Sequence, residues 1–246
     1  MIRRTLSYRS RGLICALGVI AVAAVPSRAV PLDLDLRWGA SLSGHDKLDL
    51  APRQIGETKY QATGTYFGPN EAWRLEYEIL ADTDPLVQAV FSITNQSATN
   101  TQTYSLTVSM PVTPALAPPN LMGGSVTGSL TDTGGGAMLT SNGATAVYTA
   151  LINGVPVQTL LDSPYSVSAG AFQGVQIGPL DFGVPIPSAA APNVSVDTIG
   201  IQLQFTLSPG DSASFTSVFV VEPVPEPTTM ALLGLVSLAM CRRRSA

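Results

Sequence analysis

His45 is the only histidine in this chain of 246 residues, so any chemistry with a histidine base would have to run through it. The segment Ser41-Leu42-Ser43-Gly44-His45-Asp46 contains all three residue types of a Ser-His-Asp triad. Adjacent residues of one loop rarely make such a triad, and no Gly-x-Ser-x-Gly turn occurs there. Gly124-Ser125-Val126-Thr127-Gly128 comes nearest, without the spacing and inside a β pattern that no helix follows. His45 therefore reads as a solvated loop residue. Cys15 and Cys241 lie in the terminal segments, so the body has no ligand set for zinc or another soft metal.

Carboxylates are the remaining chemistry. Glu76 and Glu78 share a strand face at roughly 7 Å, a spacing that suits glycoside hydrolysis. They alternate with apolar residues, however, and so should face solvent as ordinary surface. Asp33-Leu34-Asp35, Asp46 with Asp49, and Asp82-Thr83-Asp84 are acid pairs near expected strand ends. No cofactor is expected, but hard cations want several such oxygens, and Asp33, Asp35, Asp82 and Asp84 are the candidate ligands should the body hold calcium. No stretch matches an EF-hand loop, and aspartates at these places also serve as turn formers. Sugar binding without catalysis would use exposed aromatic rings as stacking platforms, and Trp38, Tyr66 and Phe67 are the candidates. Tyr66 and Phe67 point to opposite faces of a strand, and Trp38 precedes a loop-like Gly39. Trp73 falls in an alternating apolar set and is expected in the core. The expectation from these residues is a protein that is not an enzyme.

The elements that must carry these residues are strands. Trp73-Leu75-Tyr77-Ile79 point one way while Arg74-Glu76-Glu78 point the other. Val87-Ala89-Phe91-Ile93, Tyr104-Leu106-Val108-Met110 and Ile199-Ile201-Leu203-Phe205-Leu207 repeat the pattern, as do the runs 144–152, 155–161 and 213–221. Asn142-Gly143 and Asn153-Gly154 predict type I′ hairpins, and Pro209-Gly210-Asp211 predicts a similar link between the last two strands. No amphipathic helix of useful length occurs in the body, where Gly and Pro are too frequent for one. The predicted fold is all-β, an antiparallel β-sandwich of jelly-roll or immunoglobulin-like kind. Two stretches interrupt it, Pro111 to Gly124 and Gly183 to Pro192, each a crossover between sheets or a linker. A split near residue 118 would leave two small halves, so one domain over residues 30–222 is the default.

The two ends are of another kind. Arg3, Arg4, Arg9 and Arg11 precede an unbroken apolar run from Gly12 to Val25, and Pro26-Ser27-Arg28-Ala29 supplies small residues at the exit. That order describes a secretory signal peptide over residues 1–29, removed by signal peptidase. Its 14 apolar residues would span about 21 Å as a helix, short of a hydrocarbon core about 30 Å thick. The C-terminus reverses the order: Pro225-Glu226-Pro227, then 14 uncharged residues from Thr228 to Cys241 as a short hydrophobic helix, then Arg242-Arg243-Arg244. Arginines stay on the cytoplasmic side of a membrane, so everything between the two apolar runs is expected to be translocated.

Residues 223–246 thus resemble the PEP-CTERM sorting signal of certain Gram-negative bacteria. The resemblance implies that exosortase, a membrane cysteine protease-transpeptidase, acts on this tail. It implies that Pro225, Glu226 and Pro227 are the recognition motif and Arg242, Arg243 and Arg244 the retention cluster. It also implies a place in the cell envelope, on the outer surface or in the extracellular matrix, in association with exopolysaccharide. The membrane would be touched only through the tail before processing.

Charge agrees with an extracellular address. Between residues 30 and 227 five basic residues, Arg37, Lys47, Arg53, Lys59 and Arg74, stand against all seventeen acids, a formal charge of −12. From Leu75 to Pro227 there is no Lys or Arg. Such a body is repelled by phosphate backbones, which excludes nucleic acid as a partner, and it has little electrostatic hold on an anionic membrane. Polysaccharide, which the resemblance implies, is the partner expected for the body. Without disulfides, stability must come from a hydrophobic core.

Overall fold

The computed structural model describes residues 31–185 and 187–224, and there every regular element except a three-residue 3-10 turn at Pro69–Glu71 is a β-strand. The expected signal peptide, the tail helix and the sorting residues Pro225–Pro227 and Arg242–Arg244 lie outside the described residues. The chain runs through β1 (Leu32–Trp38), β2 (Gly44–Leu50), β3 (Arg53–Gln54), β4 (Lys59–Phe67), β5 (Trp73–Asp82) and β6 (Leu86–Asn95). It continues with β7 (Gln102–Leu116), β8 (Asn120–Thr131), β9 (Ala137–Ser141), β10 (Tyr148–Ile152) and β11 (Val155–Leu160). The last five are β12 (Ser166–Ala169), β13 (Gly174–Phe182), β14 (Ala189–Ala190), β15 (Val196–Leu207) and β16 (Ser212–Pro223).

These strands form two antiparallel sheets. The first has the order β11-β10-β15-β7-β1-β2, with β9 also on β15 and β12 beyond β9. The second has the order β13-β8-β16-β6-β5-β4-β3, with β14 also on β8. Alternation explains the layering: one parity of each long strand is buried and the other meets water. Trp73, Leu75, Ile79, Val87, Phe91 and Ile93 face inward from the second sheet, and Tyr104, Leu106, Val108, Ile201, Leu203 and Phe205 from the first. Each large side chain buried in this way contributes about 1.5–3 kcal/mol by leaving water. The sandwich class expected from alternation is what the two sheets form.

Connectivity differs from a simple meander. Pro111–Gly124 comprises the end of β7, a turn at 117–119 and the start of β8, and it carries the chain from the first sheet to the second. Gly183–Pro192 leads from β13 back to β15 in the first sheet, and β14 pairs with β8 on the way. Strands from either side of residue 118 sit next to each other in both sheets, β15 on β7 and β16 on β6.

The three predicted turns have different outcomes. Asn153-Gly154 joins β10 to β11 as a hairpin, with φ of 53° and 74° and Ile152 opposite Val155, as a type I′ turn requires. Asn142-Gly143 is not a hairpin. β9 and β10 both run along the same edge of β15, so residues 142–147 bulge out of one interrupted edge and the chain does not reverse. Pro209-Gly210-Asp211 crosses between layers, because β15 already has β7 and β10 on its two edges and β16 has β8 and β6. Neither strand has a free edge to offer the other.

The strands that end the two main sheet paths carry features that discourage further pairing. β2 presents His45, Lys47 and Asp49, β3 is only two residues long, and β11 and β13 hold Pro156 and Pro179. Inside, glycines make room for aromatic rings on the next strand. Gly64 faces Tyr77, and a Cβ there would lie 2.4 Å from its hydroxyl; Gly128 faces Phe215, and a Cβ there would lie 2.3 Å from the Ser214 carbonyl. The end of β16 at Pro223 and the turn at 117–119 mark one end of the sandwich. The links 96–101, 132–136, 170–173 and 208–211 mark the other, and β16 separates the two by about 40 Å.

Candidate functional site

On one flank of the sandwich the edge strand β2 stands over β3 and β4, and a groove of about 540 Å³ opens between the two sheets. Its apolar wall is Leu48, Leu50 and Ala62, and Lys47, Asp49, Arg53, Gln61, Thr63 and Thr65 supply polar groups around it. Tyr66 and Tyr77 are the ring-bearing members. Period two sets this arrangement, since Asp46, Leu48 and Leu50 take the inward parity of β2 and Lys47 and Asp49 the outward one. Gly64 keeps the groove open, because its missing side chain is where the Tyr77 ring lies.

Short polar contacts hold the groove's side chains. The Tyr66 hydroxyl donates to Asp46 Oδ2 at 2.7 Å, and Lys47 Nζ lies 2.8 Å from Asp33 Oδ2. Partial burial first, and then the Asp46 carboxylate that accepts its proton, push the Tyr66 phenol up to about 12. The hydrogen bond to Asp33, and then its charge, raise the Lys47 ammonium above its ordinary value. Arg53 Nη2 donates to Gln61 Oε1 at 3.5 Å and Gln61 Nε2 to Glu78 Oε1 at 2.7 Å, a relay across β3, β4 and β5. The Tyr77 hydroxyl has no hydrogen-bond partner among the described residues, so it faces the groove as a free donor and acceptor.

Each candidate from the sequence has a definite place. Trp38 and Tyr66, both half-buried, flank Trp73 with ring centroids 5.2 and 5.4 Å from it, and Trp73 itself is 1 % exposed. Phe67 is separate, 52 % exposed on the outer face of the second sheet. The three do not form one platform: Trp38 and Tyr66 share an aromatic cluster, and Phe67 points away from it. Trp38 also lines a smaller hollow of about 460 Å³ with Ser43 and Gln102 at the end far from Pro223.

The acid pairs lie apart as well. Asp33 and Asp35 face outward from β1, where Lys47, Arg37 and His45 engage them at 2.8, 3.2 and 2.9 Å. Asp82 ends β5 in the other sheet and Asp84 lies in the β5–β6 link, where its N–H donates to Asp82 Oδ1 at 3.2 Å, a turn contact. Among the described residues no three His, Cys, Asp or Glu side chains come together as a metal cage. His45 lies on β2 itself and not in a loop, with its Nε2 beside Asp35 Oδ2. Gly124–Gly128 is inside β8, and Glu76 and Glu78 are on the solvent face, Glu76 3.4 Å from Arg74.

Sequence reasoning did not single out Lys47, Arg53, Gln61 or Tyr77 as a set. The signal for it in the sequence is that every basic residue of the body falls between Arg37 and Arg74. Comparison with known families finds the PEP-CTERM protein-sorting motif at residues 223–245. No curated protein matches the chain. The matched segment begins at Pro223, the last residue of β16, so the signal follows the central strand of the second sheet without a spacer. The chain therefore carries the signal of an exported, cell-surface protein handled by exosortase.

Proposed function

Starting from a chain whose last residues are a sorting signal, we propose that the β-sandwich is a non-enzymatic surface or matrix protein that works in the exopolysaccharide layer of a Gram-negative envelope. The sorting motif at 223–245 carries this reading, because it marks an exported protein whose tail is processed by exosortase. The polar outer faces support it: Thr94, Ser212 and Thr131 lie in one cross-strand row and Ser92, Ser214 and Ser129 in the next. So does the position of the one histidine, whose side-chain partner is Asp35 and not a serine. The test compares intact mass and fractionation in cells with and without the sorting enzyme. A truncated, surface-located form that depends on the enzyme is expected. An unprocessed and equally surface-located chain in both strains would refute the delivery.

A second reading, a carbohydrate-binding module, is favoured by the groove. Its two tyrosine rings and its surrounding amide, hydroxyl and cationic groups are the mixture that sugar rings bind, apolar faces with a few oriented polar contacts. Affinity gels containing neutral or acidic polysaccharide, with and without chelator, test it. Retardation by at least one polymer, lost in Tyr77→Ala, is expected. Equal mobility in every gel would dispose of this reading and leave the sorting assignment untouched.

A further inference from the structure

The end of the sandwich farthest from the sorting signal is closed by two carboxyl groups. Asp132 follows β8 and Asp211 precedes β16, and they are 4 % and 2 % exposed. The Thr131–Ser212 pairing and the Thr133 hydroxyl, which donates to the Gly210 carbonyl at 2.7 Å, bring the two carboxyls side by side, where one donates to the other. Two carboxyls in contact in a buried site do not both ionise, so the pair shares a proton. The surroundings choose which one keeps the charge. Asp132 accepts three backbone N–H groups, Gly134 and Phe172 on Oδ2 at 3.0 and 2.6 Å and Gly136 on Oδ1 at 2.7 Å. Asp211 takes the Ser208 hydroxyl in a short hydrogen bond.

The pair ties three links together: 132–136 between β8 and β9, 170–173 between β12 and β13, and 208–211 between β15 and β16. The end of β6 joins them, since the Asn95 N–H donates to the Asp211 carbonyl at 2.9 Å. Phe172 sits at φ of 57° with its side chain 77 % exposed, and its N–H is one of those on Asp132. An aromatic residue does not choose that backbone region on its own, so the carboxylate contact helps to keep it there. None of these links contains another charged residue. Beyond them, Glu71 stands in the turn next to the β6–β7 link. Arg74 is two strands from Ser212, roughly 10 Å away, and engaged by Glu76. Asp181, Asp197 and Glu222 lie toward the opposite ends of β13, β15 and β16.

We propose that Asp132 and Asp211 form a one-proton clasp, which makes the three loops at the outer end, and the Phe172 they display, responsive to the pH outside the cell. Burial opposes the charge on Asp132, but the N–H groups of Phe172, Gly136 and Gly134 and the Asp211 hydroxyl outweigh it, and the carboxyl titrates below its ordinary 3.8. Burial, and then the neighbouring Asp132, raise Asp211 above 3.8 despite the Ser208 hydroxyl. A lowered carboxyl contributes stability that is lost as pH falls through its folded value. A raised one contributes stability that is lost as pH rises through its folded value. The clasp is therefore tightest between the two steps and loosens as conditions become more alkaline.

NMR titration of the full-length protein tests this, following the two carboxyl carbons and the amides of Gly134, Gly136 and Phe172. Two steps are expected, one on each side of 3.8, with both carboxyls and all three amides sensing both. Protection of the Phe172 amide, corrected for intrinsic exchange, should fall by about tenfold per unit of pH from the ordinary carboxyl value up to the upper step, and level off above it. Asp211→Asn keeps a donor toward Asp132 and cannot ionise, so it should remove the upper step and preserve Phe172 protection. Independent titration of both carboxyls at the ordinary value would overturn the clasp. So would Phe172 protection that ignores the upper step in the wild-type chain.

Discussion

Asn95, at the end of β6, is fully buried and pins one sheet to the other. Its Nδ2 reaches the carbonyls of Asn100, Leu207 and Ser208 at 2.9, 3.2 and 3.0 Å, and its Oδ1 accepts the Ser97 N–H at 3.2 Å. Two amide protons serve three carbonyls, so the side chain accounts for about three full hydrogen bonds at about 1 kcal/mol each. Asn95→Ala is expected to lose about 3 kcal/mol in urea unfolding and about 6–12 °C in Tm, from about 2–4 °C per kcal/mol at this chain length. Asn95→Asp keeps the shape and turns the donor into a carboxylate facing three carbonyl oxygens. Its folded pKa must rise, so whatever stability it retains is present in acid and is lost as pH rises through that folded value. A loss below about 1 kcal/mol in the alanine variant, or a pH-independent aspartate variant, would refute the reasoning.

Other outcomes follow from local geometry. Gly128→Ala should cost about 1–3 kcal/mol in urea unfolding, because its Cβ would meet the Ser214 carbonyl at 2.3 Å and neither central strand can yield. The loss in Gly64→Ala should be recovered in the double variant with Tyr77→Ser, since there the obstacle is one ring; a double-mutant cycle without coupling would contradict this. Gly154→Ala, at φ of 74° in the β10–β11 turn, should lose about 1 kcal/mol, while Gly135→Ala in open space should gain about 0.5 kcal/mol. Spectrophotometric titration should show the Tyr66 phenol ionising at about 12 and moving down in Asp46→Asn. Because that value is raised, the stability linked to Tyr66 holds below the ordinary phenol range and disappears as pH rises through about 12.

Much of the architecture could be read from single strands. Val87-Ala89-Phe91-Ile93 and Ile201-Leu203-Phe205 announced their buried faces, because a strand between core and water sorts its side chains by parity. Asn153-Gly154 was legible for a similar reason, as its turn type depends on two residues alone. Asn142-Gly143 has the same chemistry, yet its neighbours both found their place along β15, and that outcome depends on residues 196–207. Trp73 was assigned correctly to the core, whereas the surface expected from Trp38, Tyr66 and Phe67 divided. Tyr66 takes the inward parity of β4 beside Trp73, and Phe67 the outward one. The groove residues were invisible as a set because β2 and β4 meet across two layers and share no periodicity.

By itself the sequence determined the sorting tail, the acidic balance and the β class, since each is a sum or pattern over neighbouring residues. The PEP-CTERM motif is a linear signal, and its residues need no fold to be recognised as one. Tertiary structure alone decided that the tail leaves from a central strand, that Lys47 and Tyr77 share a groove, and that Asp132 meets Asp211 at the opposite end. Those meetings join segments far apart along the chain. Local propensity does not encode them; they arise when burial of both inner faces at once offsets the entropy of closing the long loops between them.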